Sequence, residues 1–186
     1  NIVLQEALKA AKKAIQLDSS NASAHAELGY IYMRLGEYDV AKRELQTATD
    51  LNPNDWISYR YIGAVLLYSG DPDAALKWYE QVTKYDPYQS PGVYMNIGIA
   101  YYLKGDDDKA LEWLKEEAVR WPNFLGCHIL MASIYGNAGE LEKAGVEKDK
   151  ILSLSPFFRL KFYGQAYRNP EHREKIVSGL KKAGLV

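Results

Sequence analysis

Five alanines recur in this chain at almost constant intervals: Ala7, Ala41, Ala75, Ala110 and Ala144, spaced 34, 34, 35 and 34 residues apart. Four of them stand last but one in a short phrase: "RLGEYDVAK" from Arg34, "YSGDPDAAL" from Tyr68, "LKGDDDKAL" from Leu103 and "NAGELEKAG" from Asn137. The glycines of that phrase, Gly36, Gly70, Gly105 and Gly139, keep the same period. A second small residue stands seven places before each of them, at Gly29, Gly63, Gly98 and Ala132. Pro53, Pro87, Pro122 and Pro156 follow the alanines by twelve residues, with Ser19 in the equivalent earlier place. Self-similarity at this period means a stack of like supersecondary units rather than one irregular core. The single extra residue falls between Pro87 and Gly98, in Tyr88-Gln89-Ser90-Pro91, so the insertion lies in a loop between repeats.

Each repeat reads as two helices. In the one that begins at Trp56, Tyr59, Ile62, Gly63 and Leu66 have helical spacing. Gly70 ends that helix, because glycine tolerates the left-handed conformation at a helix C-terminus. Asp71 can cap the next helix, and Pro72 suits its first position, where no partner awaits the missing N–H. Ala75, Tyr79 and Val82 share one face of the second helix, which stops near Tyr85-Asp86-Pro87 because proline disfavours helix in the residue before it. "YSGDPDAAL" is therefore a helix–turn–helix corner. It lacks the alternating oxygen ligands of a calcium loop and the Gly-Lys-Ser/Thr of a phosphate loop.

A period of 34 with small residues at the eighth and twentieth positions, an aromatic near the eleventh and proline near the thirty-second resembles the tetratricopeptide repeat. The resemblance places an array at 1–158: a half repeat at 2–20 and full repeats at 22–55, 56–89, 91–123 and 125–158, followed by C-terminal capping helices at 159–186. It implies an all-α protein, a right-handed α-solenoid of antiparallel helix pairs. Glu117 departs from the pattern where alanine is usual, and Lys148 where a large apolar residue is usual. The chain opens at Asn1 with half a repeat, which leaves a packing face that something is expected to cover.

Composition narrows the function. The 186 residues are 47% hydrophobic and 25% charged, with net charge -1 and pI near 6.4. That balance disfavours a general nucleic-acid binder, and no apolar run approaches the length of a bilayer span, so no membrane insertion is expected. One cysteine, Cys127, excludes an internal disulfide and weakly favours a cytoplasmic setting, with the periplasm kept as an alternative. No nucleophile–base arrangement or nucleotide loop appears, so neither an enzyme nor a cofactor is expected. His25 and His128 share position four, a packing position, and read as core or rim histidines. Cys127 and His128 are adjacent and diverge on a helix, so no metal site is expected.

After Pro156 the pattern changes. Asn169-Pro170-Glu171 is a helix start, Ile176, Val177, Leu180 and Ala183 form an apolar stripe, and Gly184 is a stop. This reads as a helix capping the last repeat. Its basic residues, Arg168, Arg173, Lys175, Lys181 and Lys182, read as a solvated face. The close "GLKKAGL" is similar to the end of tetratricopeptide arrays attached to bacterial class III adenylate or guanylate cyclases and to winged-helix transcriptional regulators. That likeness implies a regulatory or oligomerisation domain of a larger bacterial signalling protein.

Positions two, five, nine, twelve and thirteen of each first helix point away from the array's own packing. In the resembled family this face lines the concave groove that binds partners. Here it carries Tyr30, Met33, Arg34, Arg60, Leu67, Tyr68, Met95, Ile99, Tyr102 and Leu103, with Ile129, Ser133 and Asn137 in the last repeat. A face that only meets water should be polar; this one is largely aliphatic and aromatic. Two readings stay open. Either it is a groove for a protein or peptide partner, anchored by its tyrosines and oriented by Arg34 and Arg60, or a neighbouring helix fills it, from a preceding segment or from a second copy in a homo-oligomer. Trp78 and Trp113 share a register on successive second helices, as packing between repeats or as a convex ridge. Trp56 and Trp121 are expected to fill gaps between repeats.

Overall fold

The computed structural model describes residues 2–85 and 90–186. Over them the chain forms ten α-helices, one short 3-10 turn and no strand. It divides into two compact units, residues 1–87 and 88–186. The first holds α1 (Ile2–Leu17), α2 (Ala22–Arg34), α3 (Tyr38–Leu51), α4 (Trp56–Ser69) and α5 (Pro72–Tyr85). The second holds α6 (Val93–Lys104), α7 (Asp107–Arg120), α8 (Leu125–Ala138), α9 (Leu141–Leu154), a turn at Leu160–Phe162 and α10 (Pro170–Lys182). The inserted residue falls partly at Tyr88 and Gln89, which lie outside the described residues, as do Asp86 and Pro87 of the expected stop.

The corner at Gly70 forms as the residue types dictate. Gly70 adopts φ 108°, and its amide reaches back to the carbonyls of Leu66 and Leu67. Asp71 then accepts the Ala74 amide at 3.0 Å, and α5 begins at Pro72. Each helix pair closes through the recurrent small residue of its first helix. A Cβ on Gly29 would press into Leu45, one on Gly63 into the Tyr79 ring, and one on Gly98 into Leu114. Leu45, Tyr79 and Leu114 share one register and are fully buried. Burial of a side chain of this size contributes about 2 kcal/mol. In the first unit the core runs through α2, α3 and α4 as Met33, Tyr38, Ala41, Leu45, Tyr61 and Val65.

Position four of each repeat reaches the second helix nineteen residues on, and the partners change together. His25 Nδ1 lies 2.8 Å from Glu44 Oε2, and His128 Nδ1 lies 2.7 Å from Glu147 Oε2. In the two middle repeats the same places hold Tyr59 against Trp78, ring centres 5.3 Å apart, and Tyr94 edge-on to Trp113 at 4.8 Å. Each tryptophan thus packs on its own repeat's first helix. Trp78 also borders a recess lined by Lys42, Leu45, Ile62 and Leu66. Trp121 departs from expectation: it is 42% exposed at the end of α7 rather than filling a gap.

The tail is part of the second unit. Asn169 accepts the Glu171 amide at 2.9 Å and α10 starts at Pro170. Ile176, Leu180 and Ala183 are buried, and the chain end returns so that the Leu160 amide donates to the Val186 carbonyl.

Candidate partner-binding site

The ten candidate residues do not form one open apolar face. In the first unit, Met33 and Leu67 are buried, at 6% and 0% exposure. Both stand at position twelve, and Met33 belongs to the α2–α3–α4 core. Tyr30, Arg60 and Tyr68 are half-buried and Arg34 is exposed. In the second unit Ile99 and Tyr102 are buried, while Met95 and Leu103 are half-buried. Met95 lies over α8, where a Cβ on Gly126 would strike its sulfur.

Tyr102 is covered by the chain's own tail. α10 lies across α8 on the side carrying Ser133 and Asn137. Ser133 Oγ donates to the Ile176 carbonyl at 2.9 Å, and Asn137 Nδ2 donates to the Lys175 carbonyl at 2.8 Å and to the Tyr102 hydroxyl at 2.8 Å. That hydroxyl also lies 2.9 Å from Ser133 Oγ. Lys175 Nζ donates to the Tyr102 carbonyl, sits 4.2 Å from the centre of its ring and lies 3.5 Å from Asp107. Lys182 Nζ reaches Asn137 Oδ1 at 3.0 Å. The two helices touch backbone to backbone: a Cβ on Gly136 would collide with Gly179, and one on Gly179 with Ser133. Burial pushes the Tyr102 phenol above its ordinary value of 10, against the pull of Ser133 and Asn137. On α8 a neighbouring helix covers this face, and it is supplied by residues 170–182 of the chain itself.

The first unit presents a different surface. Tyr30 on α2 stacks on Tyr61 on α4, centroids 4.7 Å apart and planes 19° from parallel. Arg34, one turn beyond Tyr30, donates from Nη1 to the Tyr30 hydroxyl at 3.2 Å and lies 5.9 Å from that ring. The Arg60 guanidinium lies 5.0 Å from the Tyr61 ring and 6.0 Å from that of Trp56. The Tyr61 hydroxyl donates to Glu27 at 2.9 Å. Burial first, and Glu27 second, push the Tyr61 phenol up to about 12. The arrangement is a run of alternating cations and rings on the first-helix faces of two successive repeats. Tyr61 is buried beneath it, so the face presents the half-buried Tyr30 and Arg60 and the exposed Arg34.

Glu27, Trp56 and Tyr61 were not among the sequence candidates. Position six, which holds Glu27 and Tyr61, is not one of the groove positions, and only the stack on Tyr30 shows that Tyr61 borders this face. Among the described residues no three metal-ligating side chains converge. Cys127 is buried, which raises its thiol well above the ordinary range and keeps it from acting as a thiolate. No helix among the described residues is long and apolar enough to cross a membrane.

Comparison with known proteins agrees with this architecture. Two models described as tetratricopeptide repeat match residues 4–64 and 62–123. The chain is 29% identical over 99 residues to BBSome complex member BBS4 of Bos taurus, covering 53% of this chain and 19% of that protein. Among solved structures it resembles PilW, a type IV pilus biogenesis factor, with TM-score 0.74 at 19% identity over 97% of this chain and 81% of that one. It also resembles YrrB, described as a TPR protein with an unusual peptide-binding site, with TM-score 0.63 at 20% identity over 95% and 92% of the two chains. With its five-fold recurrence, its helix pairs and these matches, the chain belongs to the tetratricopeptide-repeat family.

Proposed function

We propose that this chain is a non-enzymatic protein-interaction scaffold that holds a peptide or helix of a partner on its first-helix faces. The observation that carries this reading is α10. The chain already seats a helix across α8, and it does so with positions nine and thirteen, Ser133 and Asn137. The same positions of α2 are Tyr30, half-buried against Tyr61 of α4, and the exposed Arg34. A face that takes one helix in the second unit is matched in the first by aromatic anchors and cations of the kind that dominate recognition surfaces. YrrB is described as binding peptide on the same fold, which favours this reading by analogy of architecture alone.

Site-specific photo-crosslinking tests it. A benzophenone amino acid is placed at Tyr30 or Tyr68 on first helices, and at Lys42 or Lys115 on second helices, in the full-length protein within its own cells. Protein adducts concentrated at Tyr30 and Tyr68 support the reading. Adducts confined to Lys42 and Lys115 sink it.

A second reading is a regulatory domain of a larger bacterial signalling protein. It rests on the "GLKKAGL" close, which here forms the end of α10 and the return strand of chain that buries Leu185. Purified full-length protein carrying a cyclase or winged-helix region whose activity changes on deleting residues 170–186 would favour it.

A further inference from the structure

We propose that the recess between α3, α4 and α5 in the first unit is a binding site for a small aromatic acid. The ring enters the recess and the carboxylate meets Lys42 at its mouth. The site lies beside the second helices, apart from the first-helix faces, and does not depend on the scaffold reading.

The recess measures about 220 Å³. Leu45 and Val65, both fully buried, close its floor, and the half-buried Ile62, Leu66 and Trp78 form its walls. An apolar cavity of about 150 Å³ takes benzene. This recess therefore suits one substituted ring and is too small for a nucleotide.

The other repeats show what normally fills this place. Where α1, α2 and α3 meet, position eleven is Tyr32 and position twenty-one is Leu8, and both pack on the cluster of Ala11, Leu28 and Ile31. Lys12, at position twenty-five, sits 5.7 Å from the centre of the Tyr32 ring. The sequence of α7 and α8 carries the same three types at these positions, Leu111, Lys115 and the buried Tyr135. Between α3 and α4 the places hold Lys42, Gln46 and Leu66 instead. The leucine and the tyrosine ring are both missing, and the lysine stands one turn earlier. A ring supplied from outside restores the missing contacts, against the Trp78 indole and beside a lysine ammonium.

The charge at the mouth selects the ring's substituent. Lys42 is exposed and forms no ion pair among the described residues. Gln46 donates to Asp50 at 2.8 Å, which engages that carboxylate one turn further along α3. A carboxylate on the ligand thus finds an ammonium without an acidic partner, whereas an amine would meet a like charge.

Amide NMR spectra of the whole chain, titrated with phenylpropionate, test the proposal. Saturable shifts should appear at the Trp78 indole and at the Lys42 and Leu66 amides, with half-saturation at about 1 mM for a ligand of this size. Phenylpropionamide should bind about fivefold more weakly, as one exposed charge contact dictates. Hexanoate, an acid without a ring, should leave the Trp78 signal unmoved. Lys42→Gln should make acid and amide bind alike. Lys42→Leu with Leu66→Tyr rebuilds the leucine and the ring that the preceding repeat carries. That variant should keep its helices by circular dichroism and lose the site. If it still binds phenylpropionate, or if wild type shows no saturable shift at Trp78, the proposal is wrong. Equal affinity of wild type for the amide or for hexanoate also overturns it.

Discussion

The carboxylate of Glu117, on α7, accepts the Gly92 amide at 2.6 Å from twenty-five residues away. It also accepts the amides of Tyr94 at 3.0 Å and Met95 at 3.3 Å. Gly92 begins α6 with φ 91° and has no side chain to cap it. The one acidic residue in an otherwise alanine or aliphatic column therefore supplies the cap from the neighbouring helix, beside the loop with the inserted residue. Glu117→Ala leaves three amides without their acceptor, two of them buried, and should cost about 2 kcal/mol, at the upper end for a lost cap. The urea midpoint of the second unit should fall, and the Tyr94 and Met95 amides should exchange faster with deuterium.

The same residue predicts a pH dependence. Burial raises Glu117 above its ordinary value of 4.5, and the three amides hold it back only in part. The folded chain then binds more protons than the unfolded chain just above pH 4.5. Its contribution to stability is full below that pH and falls as pH rises through the folded value. Denaturation midpoints followed upward from pH 4 should lose this slope in Glu117→Ala. An unchanged slope would assign it to another group.

Glycine at the α8–α10 crossing is a packing requirement, since Gly179 is buried and meets the backbone of Ser133. Gly179→Ala should cost about 2 kcal/mol by forcing the helices apart, and Ser133→Ala about 2 kcal/mol by removing its hydrogen bonds to the Ile176 carbonyl and the Tyr102 hydroxyl. Both should show first as faster hydrogen exchange in α10, with α2 and α3 unaffected. If Gly179→Ala leaves α10 as protected as before, the contact is looser than its geometry implies.

Much of this architecture is legible in the sequence, because the repeat writes it several times. Gly70, Asp71 and Pro72 fix a corner by backbone chemistry alone, and Asn169-Pro170 does the same for α10. The candidate face is less legible. Position twelve looks outward in a single repeat, yet Met33 lies in the α2–α3–α4 core and Tyr102 lies under α10. Burial there is set by a segment seventy-three residues away, which no local periodicity encodes. Tyr30 and Arg34 are legible as surface, whereas the stack on Tyr61 depends on how α2 meets α4. Glu117 announced itself only as an exception, and what it caps became visible with the start of α6.

Tyr61 gives an optical test of the first-unit face. Its phenol is pushed to about 12 by burial and by Glu27, while an unfolded tyrosine ionises near 10. Stability from this group is full below pH 10 and is lost as pH rises toward 12. The tyrosinate absorbance of wild type minus that of Tyr61→Phe should show this late phase. Glu27→Gln should move the phase toward lower pH and should leave the Tyr30–Tyr61 stack in place. A Tyr61 phase near 10 in wild type would mean that the face is open to water.

The paired columns at positions four and twenty-three make the last prediction. His25 and His128 each meet a glutamate, and each also places Nε2 near the carbonyl six residues earlier, Ser19 at 3.3 Å and Pro122 at 3.2 Å. Tyr59 donates to the equivalent carbonyl of Pro53 while its ring packs on Trp78. Histidine with glutamate and tyrosine with tryptophan are thus two solutions to one place, each joining the two helices and tying down the preceding loop. His128→Tyr alone sets a ring against the half-buried carboxylate of Glu147 and should cost about 2 kcal/mol, as should Glu147→Trp alone beside an imidazole. The double variant recreates the pair of the middle repeats and should recover at least 1 kcal/mol of the summed loss, a coupling that a double-mutant cycle in urea measures directly. Simple additivity of the two changes would show that the columns vary independently, and that the matched pairs in four repeats are coincidence.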